Sequence, residues 1–212
     1  RFCATSATRD AQNRDEFING VSQRLGVEPE VISGNEEAAL SFLGATFSLP
    51  RKIAPYLVID IGGGSTEFVF GTEGVESAKS VNIGCVRMTE RHFKNDPPTK
   101  SEIENARIDI NAAIDSAARE VPITKATSLI AVAGTATTVA AAALDLSEYD
   151  RYAIHLSRVS SEKVHEISEK FLTMNREERL GLGYMHPGRV DVIAAGSLVL
   201  SEILKEIGRA HV

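Results

Sequence analysis

The sequence predicts an α/β protein in which strands alternate with amphipathic helices, and three stretches carry that reading. Residues 56–71 run Tyr-Leu-Val-Ile-Asp-Ile-Gly-Gly-Gly-Ser-Thr-Glu-Phe-Val-Phe-Gly, an apolar strand, a glycine turn and a second apolar strand. Residues 127–132 form another apolar strand, followed by the small-residue turn Ala133-Gly134-Thr135-Ala136-Thr137-Thr138 and an alanine-rich helix over 139–144. Ile103, Ala106, Ile110, Ile114 and Ala117 then recur at helical spacing and define a long amphipathic helix to about residue 120.

Taken in order, residues 1–7 read as a strand. Asn13 with Glu16 marks a helix start whose apolar stripe is Phe17, Ile18, Val21 and Leu25, and Gly26 stops it. Residues 29–32 form a short strand closed by Ser33-Gly34. Asn35 caps the next helix, which runs to about Phe47 with Glu36, Leu40, Leu43 and Phe47 on its apolar stripe. Glu37 lies about 100° round that helix beside Ser41 and Gly44, a face of small residues that a substrate can approach. Helix-dipole and capping chemistry is the plainer account of both first-turn acids on these residues alone.

Leu49-Pro50-Arg51-Lys52 breaks the pattern and marks a domain boundary. Residues 76–83 follow the glycine motif as a strand entering Gly84-Cys85-Val86-Arg87, and residues 95–99 form a loop. Ser101 with Glu104 reads as a capping box for the long helix. Val164, Ile167, Phe171 and Met174 share one face of a later helix, and residues 175–182 form a short charged helix or loop. The last helix spans 190–207, with Arg189 in its first turn, where a cation opposes the dipole unless an anion binds; a solvated arginine explains it equally well. His186, beside Pro187 and Gly188 without a second ligand at metal spacing, reads as a surface turn residue.

The chemistry concentrates in residues 60–67. Gly62, Gly63 and Gly64 let an anion approach the backbone N–H groups, and Ser65 and Thr66 add hydroxyl donors, so the turn can cradle a phosphate. Asp60 would repel that phosphate unless a hard cation such as Mg²⁺ lay between them, with Glu67 as the second carboxylate. A tight hairpin is the competing reading, although two glycine-type residues suffice for one. The turn at Gly134 and Thr135, leading into a helix N-terminus, fits a phosphate or nucleotide, or simply a close strand-to-helix connection.

Composition sets the outer limits. Of 212 residues, 43% are hydrophobic and 25% charged, ordinary for a globular chain with a sizeable core, and the net charge of −6 gives no basic footprint for nucleic acid or anionic membrane. No run of eighteen apolar residues exists to span a bilayer. Two cysteines, Cys3 and Cys85, form no disulfide framework, so a reducing cytoplasm is the expected setting.

With Ser33-Gly34-Asn35-Glu36-Glu37-Ala38, Asp60-Ile61-Gly62-Gly63-Gly64-Ser65-Thr66-Glu67 and Ala133-Gly134-Thr135 in this order, the chain resembles the exopolyphosphatase and guanosine pentaphosphate phosphatase family, within the actin, sugar-kinase and heat-shock ATPase-like superfamily. The resemblance implies two ribonuclease-H-like domains, each a mixed sheet flanked by helices: 1–49 as the closing part of the first and 50–212 as the second. It also implies a strand, an Asp-containing turn and a second strand before Arg1, so the sequence reads as a piece cut at both ends, of reduced or no activity by itself. Terminal phosphate would be released from polyphosphate or guanosine pentaphosphate with water and Mg²⁺. Glu37 takes the family's place of general base, Asp60 and Glu67 those of the metal-associated acids. The phosphate-binding turn matches residues 62–66, and Arg9 and Arg189 match the basic residues that hold the phosphate chain. A homodimer is implied as well. Two rivals remain open at this point, an ATP-dependent kinase of the superfamily and a non-catalytic nucleotide-binding module.

Overall fold

β1 (Cys3–Ala4) and β2 (Glu30–Val31) pair in parallel as a two-stranded sheet, with α1 (Ser6–Asp10) and α2 (Arg14–Leu25) between them. The computed structural model describes residues 1–208; Arg209-Ala210-His211-Val212, where the sequence was expected to break off just past a helix, lie outside them. The strand expected over 1–7 is thus only two residues long, because its ladder ends where its short partner does. Asn13 stands at the N-cap of α2 without a side-chain cap bond, and Gly26 closes that helix in the left-handed region at φ 68°.

α3 (Gly34–Thr46) is capped by Ser33, whose hydroxyl accepts from Glu36 N–H at 3.2 Å, rather than by the expected Asn35. Its predicted apolar stripe faces the wrong way. Leu40, Leu43 and Phe47 are exposed, Phe47 at 94%, while Ala38 and Phe42 are buried against Tyr56, Val58 and Val69. Apolar residues occur on both sides of this helix, so periodicity could not choose the face; the fit of Phe42 onto the sheet did.

A 3₁₀ turn at Arg51–Ile53 leads into β3 (Tyr56–Ile61), β4 (Thr66–Gly71), β5 (Val75–Val81), α4 (Cys85–His92) and α5 (Lys100–Ala118). The capping box of α5 is made by Thr99 and Glu102, two residues before the expected pair Ser101 and Glu104. After β6 (Ser128–Val132), α6 (Ala133–Ala143) starts at once, so the expected small-residue turn is the helix's own beginning. α7 (Arg151–Ile154), α8 (Ser161–Thr173), α9 (Arg176–Leu180) and α10 (Ile193–Gly208) complete the chain. Arg189 belongs to a separate 3₁₀ turn, Pro187–Arg189, and not to the first turn of α10.

The four-stranded sheet has the order β5-β4-β3-β6, with β3 antiparallel to β4 and parallel to β6. Alternation along the strands assigns the faces. Leu57, Ile59, Ile61, Phe68 and Phe70 enter the main core with Met88 of α4, Ile110 and Ile114 of α5, Phe171 of α8 and Leu198 of α10. Tyr56, Val58 and Val69 point the other way, under α3. Asp60 and Glu67 are register partners on that second face, at the end of the strands where the glycine turn begins. α3 therefore delivers Glu37 and Ser41 to two acids of a different segment.

Candidate active site

Three carboxylates meet where the start of α3 overlies the ends of β3 and β4. Ser41, one turn beyond Glu37, donates a short hydrogen bond to Asp60 Oδ2. Glu67, 1% exposed, accepts from Ser80 Oγ of β5 at 2.7 Å. Arg9 Nη1 donates to the Ile32 carbonyl at 2.7 Å and stands 3.6 Å from Glu37 Oε2. Among the described residues, Glu37 Oε2, Glu67 Oε2 and Ser65 Oγ are buried without a hydrogen-bond partner. Asp60 and Glu67 also face each other directly across the ladder, where like charges repel.

Burial, helped by the charges of Glu37 and Asp60, pushes the Glu67 carboxyl up to about 6, against the opposing pull of Ser65 and Ser80. Glu37 is likewise raised, first by burial and then by Asp60, while Thr5 and Arg9 pull it down. A group whose folded pKa is raised holds its proton preferentially in the folded state, so its stabilisation is complete below the unfolded value and is lost as pH climbs through the folded one. In metal-free protein, stability should accordingly fall between about pH 4.5 and 6 by about 2 kcal/mol on account of Glu67. Denaturant titrations of Glu67→Gln in chelator should lack that slope and show the variant more stable than its parent at pH 8; parallel pH profiles would remove Glu67 as the cause.

The residues present fit a hard cation. Two opposed carboxylates with an unpartnered oxygen on one of them lower their mutual repulsion by sharing positive charge. No group of three His, Cys, Asp or Glu side chains able to hold a metal exists among the described residues, so phosphate and water oxygens would supply the remaining positions, the usual manner of Mg²⁺.

The glycine turn is held from behind by α4. Cys85 N–H donates to Gly62 O at 2.9 Å, and Val86 and Arg87 N–H donate to Gly63 O at 2.9 and 3.1 Å. The turn's carbonyls are thereby engaged, whereas the N–H groups of Gly63, Gly64 and Ser65 find no acceptor among the described residues. Thr66 is fully buried and its hydroxyl donates to Ile83 O at 3.0 Å, which leaves Ser65 as the turn's available hydroxyl.

Gly134, Thr135 and Arg189 assemble at a second point. The guanidinium of Arg189 lies directly on Gly134, so that a Cβ there would fall 1.7 Å from Arg189 Cζ. Arg189 thus sits over the N-terminus of α6, and the conflict between cation and dipole foreseen for α10 occurs at α6 instead. Ala133, at the junction, is held at φ 67°, a conformation costly for a side-chain-bearing residue. Thr135 is buried against Cys85 and Gly196, and the Arg189 charge reaches the Cys85 thiol, so the two phosphate-binding candidates are neighbours across α4. Arg179, 3% exposed, secures the turn that carries Arg189: Nε donates to Val190 O at 2.9 Å, Nη1 to Met174 O at 2.5 Å, and Nη2 meets Asp96 at 2.6 Å. A cavity of about 470 Å³ beside Gly134 and Arg189 is lined by Tyr149, Tyr184, Met185 and His186. Because only a side-chain end must move, Gly134→Ala should leave the melting temperature nearly unchanged while weakening phosphate binding about tenfold or more through the displaced Arg189, measured by titration with tripolyphosphate.

The whole chain, residues 1–212, matches the model of the Ppx/GppA phosphatase family. It belongs to that family. Exopolyphosphatase 2 of Mycobacterium tuberculosis is 44% identical over 212 residues, which are 98% of this chain and 66% of that protein, so the chain spans just under two thirds of that relative. A guanosine-5′-triphosphate,3′-diphosphate pyrophosphatase of Vibrio cholerae is 39% identical over 117 residues, 54% of this chain and 23% of that one. A crystal structure of an exopolyphosphatase-like protein superposes with a TM-score of 0.97 at 50% identity, covering 99% of this chain and 68% of that chain. The mixed sheet flanked by helices is the ribonuclease-H-like, actin-like ATPase fold of this family.

In this Ppx/GppA chain the residues singled out by sequence form two adjacent groups: Arg9, Glu37, Asp60, residues 62–66 and Glu67 in one, Gly134, Thr135 and Arg189 in the other. His186 is an exposed turn residue, accepting from Gly188 N–H at 3.1 Å. Sequence reasoning passed over Ser80, Arg87, Asp96 and Arg179. A signal existed for Arg87: a cation in the first turn of a helix, the oddity noticed at Arg189, recurs there once α4 is seen to start at Cys85.

Proposed function

We propose that the chain carries the hydrolytic machinery of a phosphoanhydride hydrolase that releases terminal orthophosphate from inorganic polyphosphate or guanosine pentaphosphate. The observation behind this reading is the placement of Glu37, a largely buried carboxylate whose Oε2 accepts no hydrogen bond and stands 3.6 Å from Arg9, above an Asp60–Glu67 pair that flanks the glycine turn with its free N–H groups. The names of the relatives support the substrate class.

In this mechanism Glu37 orients the attacking water and takes its proton at Oε2, which accepts no hydrogen bond from the protein, a step favoured by its raised pKa. The N–H groups of Gly63, Gly64 and Ser65 stabilise charge on the transferred phosphoryl oxygens. Arg9 and Arg189 hold the neighbouring phosphates. Asp60, aligned by Ser41, and Glu67, aligned by Ser80, would hold Mg²⁺, which when bound neutralises phosphate charge. The cavity next to Arg189 has the size and aromatic lining for a nucleoside, which favours a guanosine substrate as a second reading beside polyphosphate.

We further propose, from the family resemblance, that residues 1–49 and 50–212 are parts of two ribonuclease-H-like domains, that the protein is a homodimer and that it works in the cytoplasm. Among the described residues no helix is long and apolar enough to cross a membrane. The test is phosphate release from long-chain polyphosphate and from guanosine pentaphosphate, with and without Mg²⁺. Metal-dependent release that disappears in Glu37→Gln is the expected result. Tight ligand binding without release would instead favour the non-catalytic module, and ADP formation with an acceptor the kinase.

A further inference from the structure

Arg87, in the first turn of α4, lies against the glycine turn. Its Nε donates to Gly64 O at 2.7 Å, which docks the guanidinium on the turn. Its Nη2 reaches across to Asp10 Oδ2 of α1 at 2.6 Å, a pair that joins residues 77 apart in sequence. A Cβ on Gly64 would fall 3.3 Å from that Nη2 and 3.1 Å from Ser6 Oγ, so cation, hydroxyl and the unpaired Gly64 N–H crowd one patch of backbone. The Gly64 carbonyl is already taken by Arg87 Nε, so among the side chains of the patch Asp10 alone is purely an acceptor. The Arg87 and Asp10 side chains are 31% and 51% exposed, and a pair so open to water is weakly held.

Resting on the hydrolase reading above, we propose that Arg87 is a phosphate-binding residue of the glycine turn and that Asp10 is a resident carboxylate, occupying on Arg87 the place that a substrate phosphate takes. When a polyphosphate tail enters, its doubly coordinating oxygens displace the single carboxylate contact, and the Nε bond to Gly64 keeps the guanidinium aimed at the turn. Asp10 thereby screens the site against weakly charged anions, and a chain bearing several phosphates overcomes it.

The proposal separates from a merely structural tie between α1 and α4 by sign. Asp10→Asn and Arg87→Ala would break a tie equally and weaken the protein in the same direction. As a binding group with a competing carboxylate, Arg87→Ala should weaken tripolyphosphate binding about tenfold or more, whereas Asp10→Asn should tighten it about threefold. The double variant should match Arg87→Ala alone. Calorimetric titration of the full chain with tripolyphosphate reads all four proteins. Unchanged or weaker binding in Asp10→Asn overturns the proposal, also where Arg87→Ala fails to fold. Undiminished binding in a folded Arg87→Ala overturns it too. Absence of binding and of hydrolysis in the parent chain overturns this proposal together with the hydrolase reading; a parent that binds and hydrolyses with variants of the wrong sign overturns the Arg87 assignment alone.

Discussion

Glu37→Gln is expected to reduce phosphate release by about 10²-fold or more while leaving tripolyphosphate affinity unchanged or slightly tighter. The amide keeps the shape and the reach of the carboxyl, so the position of α3 and the Ser41 contact to Asp60 should survive. What disappears is a proton acceptor and one of three negative charges facing the phosphate. Steady-state kinetics should therefore show the loss in kcat rather than KM. The acid limb of the pH profile in the parent should belong jointly to Glu37 and Glu67, whose pKa values are both raised. If turnover persists in Glu37→Gln but vanishes in Glu36→Gln, the base is the neighbouring residue. The structure argues against that outcome, since Glu36 Oε1 is bound to Arg1 Nη2 at 2.6 Å, whereas the carboxylates that act on Glu67 are those of Glu37 and Asp60.

The parts of this site that were legible in sequence are those set by local chemistry. Asp60, the glycine turn and Glu67 announce themselves because an acid ending an apolar strand and a run of backbone without side chains have few other uses. Glu37 was legible through its small-residue neighbours, and Ser41 among them proved to be the residue that touches Asp60. Cap choices between adjacent residues, Ser33 against Asn35 and Thr99 against Ser101, were not, because each candidate has a side chain suited to the task and only backbone geometry selects one. Burial of Arg179 was hidden for a different reason. Its partners, Asp96, Met174 and Val190, include two backbone carbonyls that leave no mark in the sequence. The face of α3 was illegible because packing, and not amphipathicity, orients it.

Gly84→Ala is expected to have a large effect on stability, and the contrast with Gly134 explains why. At both positions an added Cβ overlaps its surroundings, but at Gly134 it meets the movable end of Arg189. At Gly84 it would fall 2.3 Å from Gly63 O and 2.4 Å from Gly63 C, with Gly64 C at 2.6 Å, all backbone. Relief requires α4 and the glycine turn to separate. Four backbone hydrogen bonds join them there: Gly84 N–H to Gly64 O, Cys85 N–H to Gly62 O, and Val86 and Arg87 N–H to Gly63 O. At about 1 kcal/mol net for each bond, their loss costs about 3 to 4 kcal/mol, equivalent to a fall of roughly 10 °C in melting temperature for a chain of this size. The same separation would swing the free N–H groups of the turn out of line with Glu37, so activity should be lost below the melting temperature as well. A thermal melt within about 2 °C of the parent, no more than the shift expected for about 1 kcal/mol, would show that the turn and α4 are not rigidly joined. The alignment of the turn's free N–H groups would then have to come from the strands β3 and β4 alone.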